Sequence, residues 1–80
     1  MNTLTLRRDL TRVAAGGAVP RTPEGRVASP CVNVCRMAPA TGWCEGCRRS
    51  IDEIAAWSRL DDTAREAVWR TLPGRVAPAA

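Results

Sequence analysis

The 80-residue sequence contains no histidine, lysine, phenylalanine or tyrosine, and aromatic residues make up only 4% of it. Without histidine and tyrosine, the side chains that most often transfer protons in enzymes are missing, apart from carboxylates and thiols. No apolar run approaches the length of about 18 residues that a membrane-spanning helix needs. These absences predict a protein that is not an enzyme and has no membrane span, and we expect it in the cytoplasm.

Large apolar side chains are also scarce, since three tryptophans are the only large rings in a chain long enough for one domain. A chain this short buries a modest core, and small scaffolds usually need a disulfide or a metal as a staple. The only candidates for that staple are the four cysteines, Cys31, Cys35, Cys44 and Cys47.

The cysteines fall into two close pairs, Cys31-x3-Cys35 and Cys44-x2-Cys47, separated by a short loop. Two tight turns that face each other can supply the four corners of a tetrahedral thiolate site, and this pattern predicts a metal centre with all four as ligands. Zinc and iron–sulfur clusters both accept four cysteine thiolates. In the second pair we expect Gly46 to take a positive φ that directs backbone amides at a sulfur.

Other interpretations of the four cysteines stay open at this point. Two disulfides need an oxidising compartment, and no convincing export signal precedes the cysteines. A thioredoxin-like redox pair expects a βαβ unit, for which the chain is too short. Three arginines adjoin the cysteines and would offset the negative charge of a thiolate site: they are Arg36, Arg48 and Arg49.

Residues 1–28 are predicted to form a disordered basic tail. Gly16-Gly17, Pro20 and Pro23 interrupt regular structure, and five arginines face two acids in this segment. Weak, salt-sensitive contact of this tail with nucleic acid is a third hypothesis for function. Within residues 29–75 the charges nearly balance, so we do not expect a folded nucleic-acid-binding surface there.

After the cysteines the sequence predicts a hairpin of two helices. Ser50 and Glu53 have the spacing of a capping box, and Asp61 is a good N-cap for the second helix. Pro73-Gly74 ends that helix, which leaves residues 76–80 as a loose C-terminus. Trp69 lies off the apolar stripe of the second helix, so it is a candidate either for an exposed partner contact or for the edge of the core.

The segments Ser29-Pro30-Cys31, Cys35-Arg36-Met37 and Gly42-Trp43-Cys44-Glu45-Gly46-Cys47-Arg48-Arg49-Ser50 resemble domain-of-unknown-function family 1289. The continuation Glu53-Ile54-Ala55-Ala56-Trp57 and the closing Leu72-Pro73-x-Arg75 are similar to it as well. The family consists of small bacterial proteins commonly labelled as predicted iron–sulfur proteins. An acidic residue usually follows the methionine in that family, whereas this chain has Ala38, so no carboxylate role carries over to that position.

The resemblance implies an iron–sulfur centre on the four cysteines. An iron–sulfur cluster and zinc are then equally expected as the cofactor. We therefore expect a small metal-stabilised, mostly α protein. Its four-cysteine domain at residues 29–75 is expected to consist of a knuckle or loop followed by a two-helix hairpin. Its expected function is that of a metal-binding accessory protein that transfers electrons to a larger oxidoreductase partner. The alternative is a zinc-stapled module for protein–protein interaction.

Overall fold

The computed structural model describes residues 3–32 and 36–75, and these residues contain three α-helices. Helix α1 spans Thr3–Ala14, α2 spans Ile51–Ala56 and α3 spans Asp62–Thr71. Short 3₁₀ turns, Trp57–Arg59 and Leu72–Gly74, follow α2 and α3. The expectation of a small, mostly helical protein is confirmed, whereas Cys35 and the predicted loose end at residues 76–80 lie outside the described residues.

Helix α1 occupies the segment that was predicted to be a disordered tail, so the structure differs from that prediction. Leu6, Leu10 and Val13 are buried, with exposed fractions of 2%, 6% and 4%. Their spacing places them on one face of a helix, which packs against α3 and the turn at residues 72–74. The two glycines lie just beyond this helix and end it, since Gly16 takes a φ of +85° and its amide bonds to the carbonyl of Val13.

The loop after α1 returns the chain to the helices and is tied to α3 by polar contacts. Arg70 donates from Nη1 to the carbonyl oxygen of Gly17 at 2.7 Å. The carboxylate of Asp62, in the first turn of α3, accepts from Arg26 Nε at 3.0 Å and from the Val27 amide at 3.1 Å. These bonds lower the pKa of Asp62, with the Val27 amide as the largest cause.

The helix starts agree with the predictions. The capping box is present, because Ser50 Oγ accepts from the Glu53 amide at 3.2 Å and Glu53 accepts from the Ser50 amide at 2.8 Å. Asp61 caps α3 by accepting from the Ala64 amide at 2.8 Å. The predicted two-helix hairpin is not the main packing, since α1 packs on α3 and on the turn after α3, whereas α2 contacts chiefly the turn that follows it.

The core lies between α1, the loop and α3. Trp69 is fully buried, and its indole Nε1 donates to the carbonyl oxygen of Ala28 at 2.8 Å. The alternative that Trp69 is exposed for a partner is therefore wrong, because α1 and the loop cover the face that a two-helix hairpin would have left open. The core residues are Leu6, Leu10, Val13, Val19, Val27, Val32, Trp69 and Leu72.

In the part of the chain that the structure describes, no helix combines the length and the apolar character needed to cross a bilayer.

Candidate metal centre

Residues 36–50, here called the knuckle, hold the second cysteine pair in a loop built from short antiparallel bridges. Met37 pairs with Cys44 and Trp43 pairs with Ser50. The turn between the arms closes where the Gly42 amide bonds to the Ala38 carbonyl at 2.8 Å, and Gly42 takes a φ of +73° that glycine adopts without strain. The pairing sets Cys44 at the end of one arm, where it is only 3% exposed.

The chain then turns sharply through the second cysteine pair. The Arg48 amide bonds to the Cys44 carbonyl at 2.8 Å, and the Cys44 amide bonds to the Arg49 carbonyl at 2.7 Å. The positive φ that this turn needs falls on Arg48, at 68°, and not on Gly46 as expected. The expectation named the wrong residue because the left-handed position follows the second cysteine instead of preceding it.

The sulfur of Cys44 accepts hydrogen bonds from the backbone of the knuckle. Burial raises the pKa of this thiol, but the amides of Cys47, Gly46 and Arg36 and the thiol of Cys47 donate to the sulfur and lower the pKa below its ordinary value overall. Amides that point at a sulfur stabilise its thiolate, which is the form that binds a metal. The two cysteines of this pair are therefore in contact with each other, and the surroundings of Cys44 favour its thiolate.

Cys47 lies beside a buried arginine. Arg49 Nε donates to Cys47 Sγ at 3.3 Å, and the exposed fractions of the two residues are 4% and 2%. On its other side the Arg49 guanidinium lies 4.9 Å from the centroid of the Trp57 ring. Within residues 3–32 and 36–75, Arg49 forms no ion pair with a carboxylate. A buried guanidinium is costly unless its donors have partners, and the sulfur of Cys47 accepts from one of them.

Of the other two predicted ligands, the structure describes only Cys31. Cys31 follows the buried Pro30, is partly exposed, and its amide donates to Ser29 Oγ at 3.2 Å. Cys35 lies outside the described residues. Among the residues that are described, no three cysteine, aspartate or glutamate side chains form a group that could hold a metal ion. Over those residues, the structure thus brings Cys44 and Cys47 together and does not place Cys31 in one group with them.

The three arginines that adjoin the cysteines have separate roles. Arg36 is exposed and its Nε lies 3.9 Å from a carboxylate oxygen of Glu45. Arg48 donates from Nη1 to the Leu72 carbonyl, at a long distance of 3.4 Å. Arg49 alone of the three is buried against a cysteine sulfur.

A largely buried ion pair joins Arg75, after the turn that follows α3, to Glu53 of α2. Arg75 makes two hydrogen bonds to the carboxylate of Glu53, one of them from Nη2 to Oε2 at 2.9 Å, and its Nη1 also donates to the Arg48 carbonyl at 3.1 Å. Its guanidinium lies 5.7 Å from the centroid of the half-buried Trp43 ring. The hydrogen bond from Arg75 is the main cause that lowers the pKa of Glu53, and the same contact raises the pKa of Arg75.

This ion pair was not predicted from the sequence. Glu53 was assigned only to the capping box, and no local pattern connects residues 22 positions apart. The closing Leu72-Pro73-x-Arg75 motif was the available signal, because it places an arginine directly after the turn that ends α3.

The family described as "Protein of unknown function (DUF1289)" matches residues 29–76, which is more than half of the chain. The chain therefore belongs to this family, as the cysteine motifs predicted. The matched segment contains the four cysteines, the knuckle, α2, α3 and the Glu53–Arg75 ion pair, while α1 precedes it. No curated protein and no solved structure gives a match.

Proposed function

We propose that this protein is a non-catalytic metal-binding accessory protein whose centre is held by Cys31, Cys35, Cys44 and Cys47. The observation that carries the proposal is the environment of the second pair. Backbone amides donate to the sulfur of Cys44. A buried guanidinium, which has no carboxylate partner among the described residues, donates to the sulfur of Cys47. The amide bonds favour the thiolate of Cys44, and the Arg49 guanidinium adds positive charge beside Cys47; both features suit a metal held by cysteine sulfurs.

The construction of the knuckle supports the same proposal. Cys44 and Cys47 are buried but lie outside the apolar core cluster, which is built from α1, the loop and α3. Arg49 on the Trp57 ring and Arg75 on the Arg48 carbonyl attach the knuckle to the segments that follow α2 and α3. A loop of this kind, with little apolar packing of its own, gains stability when a metal joins its cysteines to the first pair.

An iron–sulfur cluster is the first candidate for the group, on the family resemblance. When bound, such a cluster supplies one-electron transfer, here to a larger oxidoreductase partner. The chain's own residues would bind it through the four sulfurs, offset its negative charge through Arg49, and exclude water by burying Cys44 and Cys47. Zinc is the second candidate, since the Cys-x2-Cys turn and its amide bonds to sulfur also suit a structural zinc site.

Preparation of the protein without oxygen, followed by elemental analysis and an absorbance spectrum, tests the proposal. Iron and acid-labile sulfide with visible absorbance support the electron carrier. A colourless protein with one zinc per chain supports the interaction module. In the zinc case, chelation should reduce the far-UV circular dichroism. Protein that holds neither metal under these conditions contradicts the proposed function.

A further inference from the structure

A cleft of about 430 Å³ opens between α1, the knuckle and the turn at residues 72–74. Its wall on α1 is a stripe at helical spacing, and Arg48 and Pro73 form the opposite side. The residues that line it are Arg7, Leu10, Thr11, Ala14, Arg48 and Pro73. The cleft therefore joins the helix that precedes the family match to the turn that carries Cys47.

The lining of the cleft combines positive charge with apolar surface. Arg7 and Arg48 supply two guanidiniums, and no acidic residue of the described chain lines the cleft. Each of the six ion pairs among the described residues uses other arginines. Leu10, Ala14 and Pro73 contribute apolar surface to the same lining. This combination is complementary to carboxylates that lie next to an apolar side chain.

The backbone of Arg48 gives independent support. Its φ of 68° lies in the left-handed region, which is unfavourable for any residue with a Cβ and is most easily occupied by glycine. The turn through the second cysteine pair holds this conformation, and residues held under such strain cluster at binding sites. The hydrogen bond from the Arg48 side chain to the Leu72 carbonyl is long, at 3.4 Å. The strained residue thus presents a weakly held guanidinium to the cleft.

We propose that this cleft is the docking site for an acidic segment of a protein partner. Carboxylates of that segment pair with Arg7 and Arg48, and an adjacent aliphatic side chain packs on Leu10 and Pro73. Because Arg48 directly follows Cys47, the docked segment lies beside the knuckle. The proposal rests on the proposed function in one respect, since an accessory metal protein needs a partner held near its centre.

Fluorescence anisotropy with a labelled acetyl-Glu-Leu-Glu-Glu-Leu-amide peptide tests the proposal on the full chain at low ionic strength. We expect Arg7→Glu to weaken peptide binding about fivefold or more, because it replaces an attractive charge with a repulsive one. Arg48→Gly should weaken binding similarly while it relaxes the backbone. The matched control is Arg8→Glu, since Arg8 is an exposed neighbour on α1 that does not line the cleft.

Several results would overturn the proposal. These are the absence of peptide binding, equal losses in Arg7→Glu and Arg8→Glu, and undiminished binding of a peptide with glutamine in place of glutamate. A short DNA duplex that binds through Arg7 when the peptide does not would assign the cleft to nucleic acid instead. Metal content is measured on the same samples: a metal-free chain that still binds the peptide through Arg7 contradicts only the proposed function.

Discussion

At the scale of single residues, the guanidinium of Arg49 connects the cysteine pair to the rest of the molecule. It is 4% exposed, donates to Cys47 Sγ at 3.3 Å and stacks on the ring of Trp57. Arginine suits this position because its planar group can donate from one edge while its face lies on a ring. A negative charge on Cys47 would balance its charge, so the residue is useful mainly when the cysteines are thiolates.

Replacement of Arg49 by methionine should therefore weaken metal binding while keeping a side chain of similar length. Loss of a group that orients a ligand typically lowers metal affinity about 10- to 100-fold. Titration of the reduced protein with Co²⁺, followed by its thiolate absorption, measures this affinity. Arg59→Met is the matched control, because Arg59 is exposed in the turn after α2. Equal Co²⁺ affinity in Arg49→Met and wild-type protein would contradict this role.

The Glu53–Arg75 ion pair gives a second prediction at this scale. The pKa of Glu53 is lowered from its ordinary value of 4.5 in the folded protein. The carboxylate therefore stabilises the fold fully above pH 4.5, and this stability is lost as the pH falls through the lowered pKa. Urea unfolding at a series of pH values should show a steeper acid loss in wild-type protein than in Glu53→Gln. Parallel pH profiles for the two proteins would contradict it.

At the scale of elements, α1 is part of the core although it lies before the residues that match the family. Its buried residues face α3 and the turn at residues 72–74, where Leu72 is fully buried. Three arginines of the predicted basic tail form ion pairs: Arg12 pairs with Asp9, and Arg21 and Arg26 pair with Asp62. The described segment before residue 29 is thus a structural element and not a flexible arm.

Leu10→Ala should reduce the free energy of unfolding by about 2–4 kcal/mol, because it removes a buried aliphatic side chain and leaves a cavity in the core. Leu4→Ala in the same helix is the control, since Leu4 is 59% exposed and should change the stability by less than about 0.5 kcal/mol. Urea unfolding followed by tryptophan fluorescence, to which the buried Trp69 contributes, measures both. Equal, negligible effects would show that α1 does not pack on the core in solution.

At the scale of the whole molecule, local signals predicted local structure well. The capping box, the Asp61 cap and the stop at Pro73-Gly74 all depend on neighbours in the chain, and the structure confirms them. The prediction of a disordered tail at residues 1–28 and the alternative of an exposed Trp69 were wrong, because both positions depend on contacts between distant segments. Because the sequence did not indicate that α1 packs against α3, the prediction did not identify which face of α3 is buried.

In the candidate site, too, the local features were predicted from the sequence and the long-range contacts were not. The Cys-x2-Cys spacing predicted a tight pair, and Cys44 and Cys47 are in contact. The spacing did not reveal that Arg48 takes the left-handed conformation, or that Arg49 is buried against a sulfur while Arg36 is exposed. These outcomes depend on the direction of each side chain relative to α2 and Trp57, which residue types alone do not specify.

The central claim is that all four cysteines hold one metal centre. The most direct test is the metal-to-protein ratio of anaerobically prepared wild-type protein and of the four single variants Cys31→Ser, Cys35→Ser, Cys44→Ser and Cys47→Ser. We expect one centre per chain in wild-type protein and a severe loss in every variant, because in the proposed centre each sulfur is one of the ligands. Full metal loading in any of the four variants, or wild-type protein without metal, would contradict the claim.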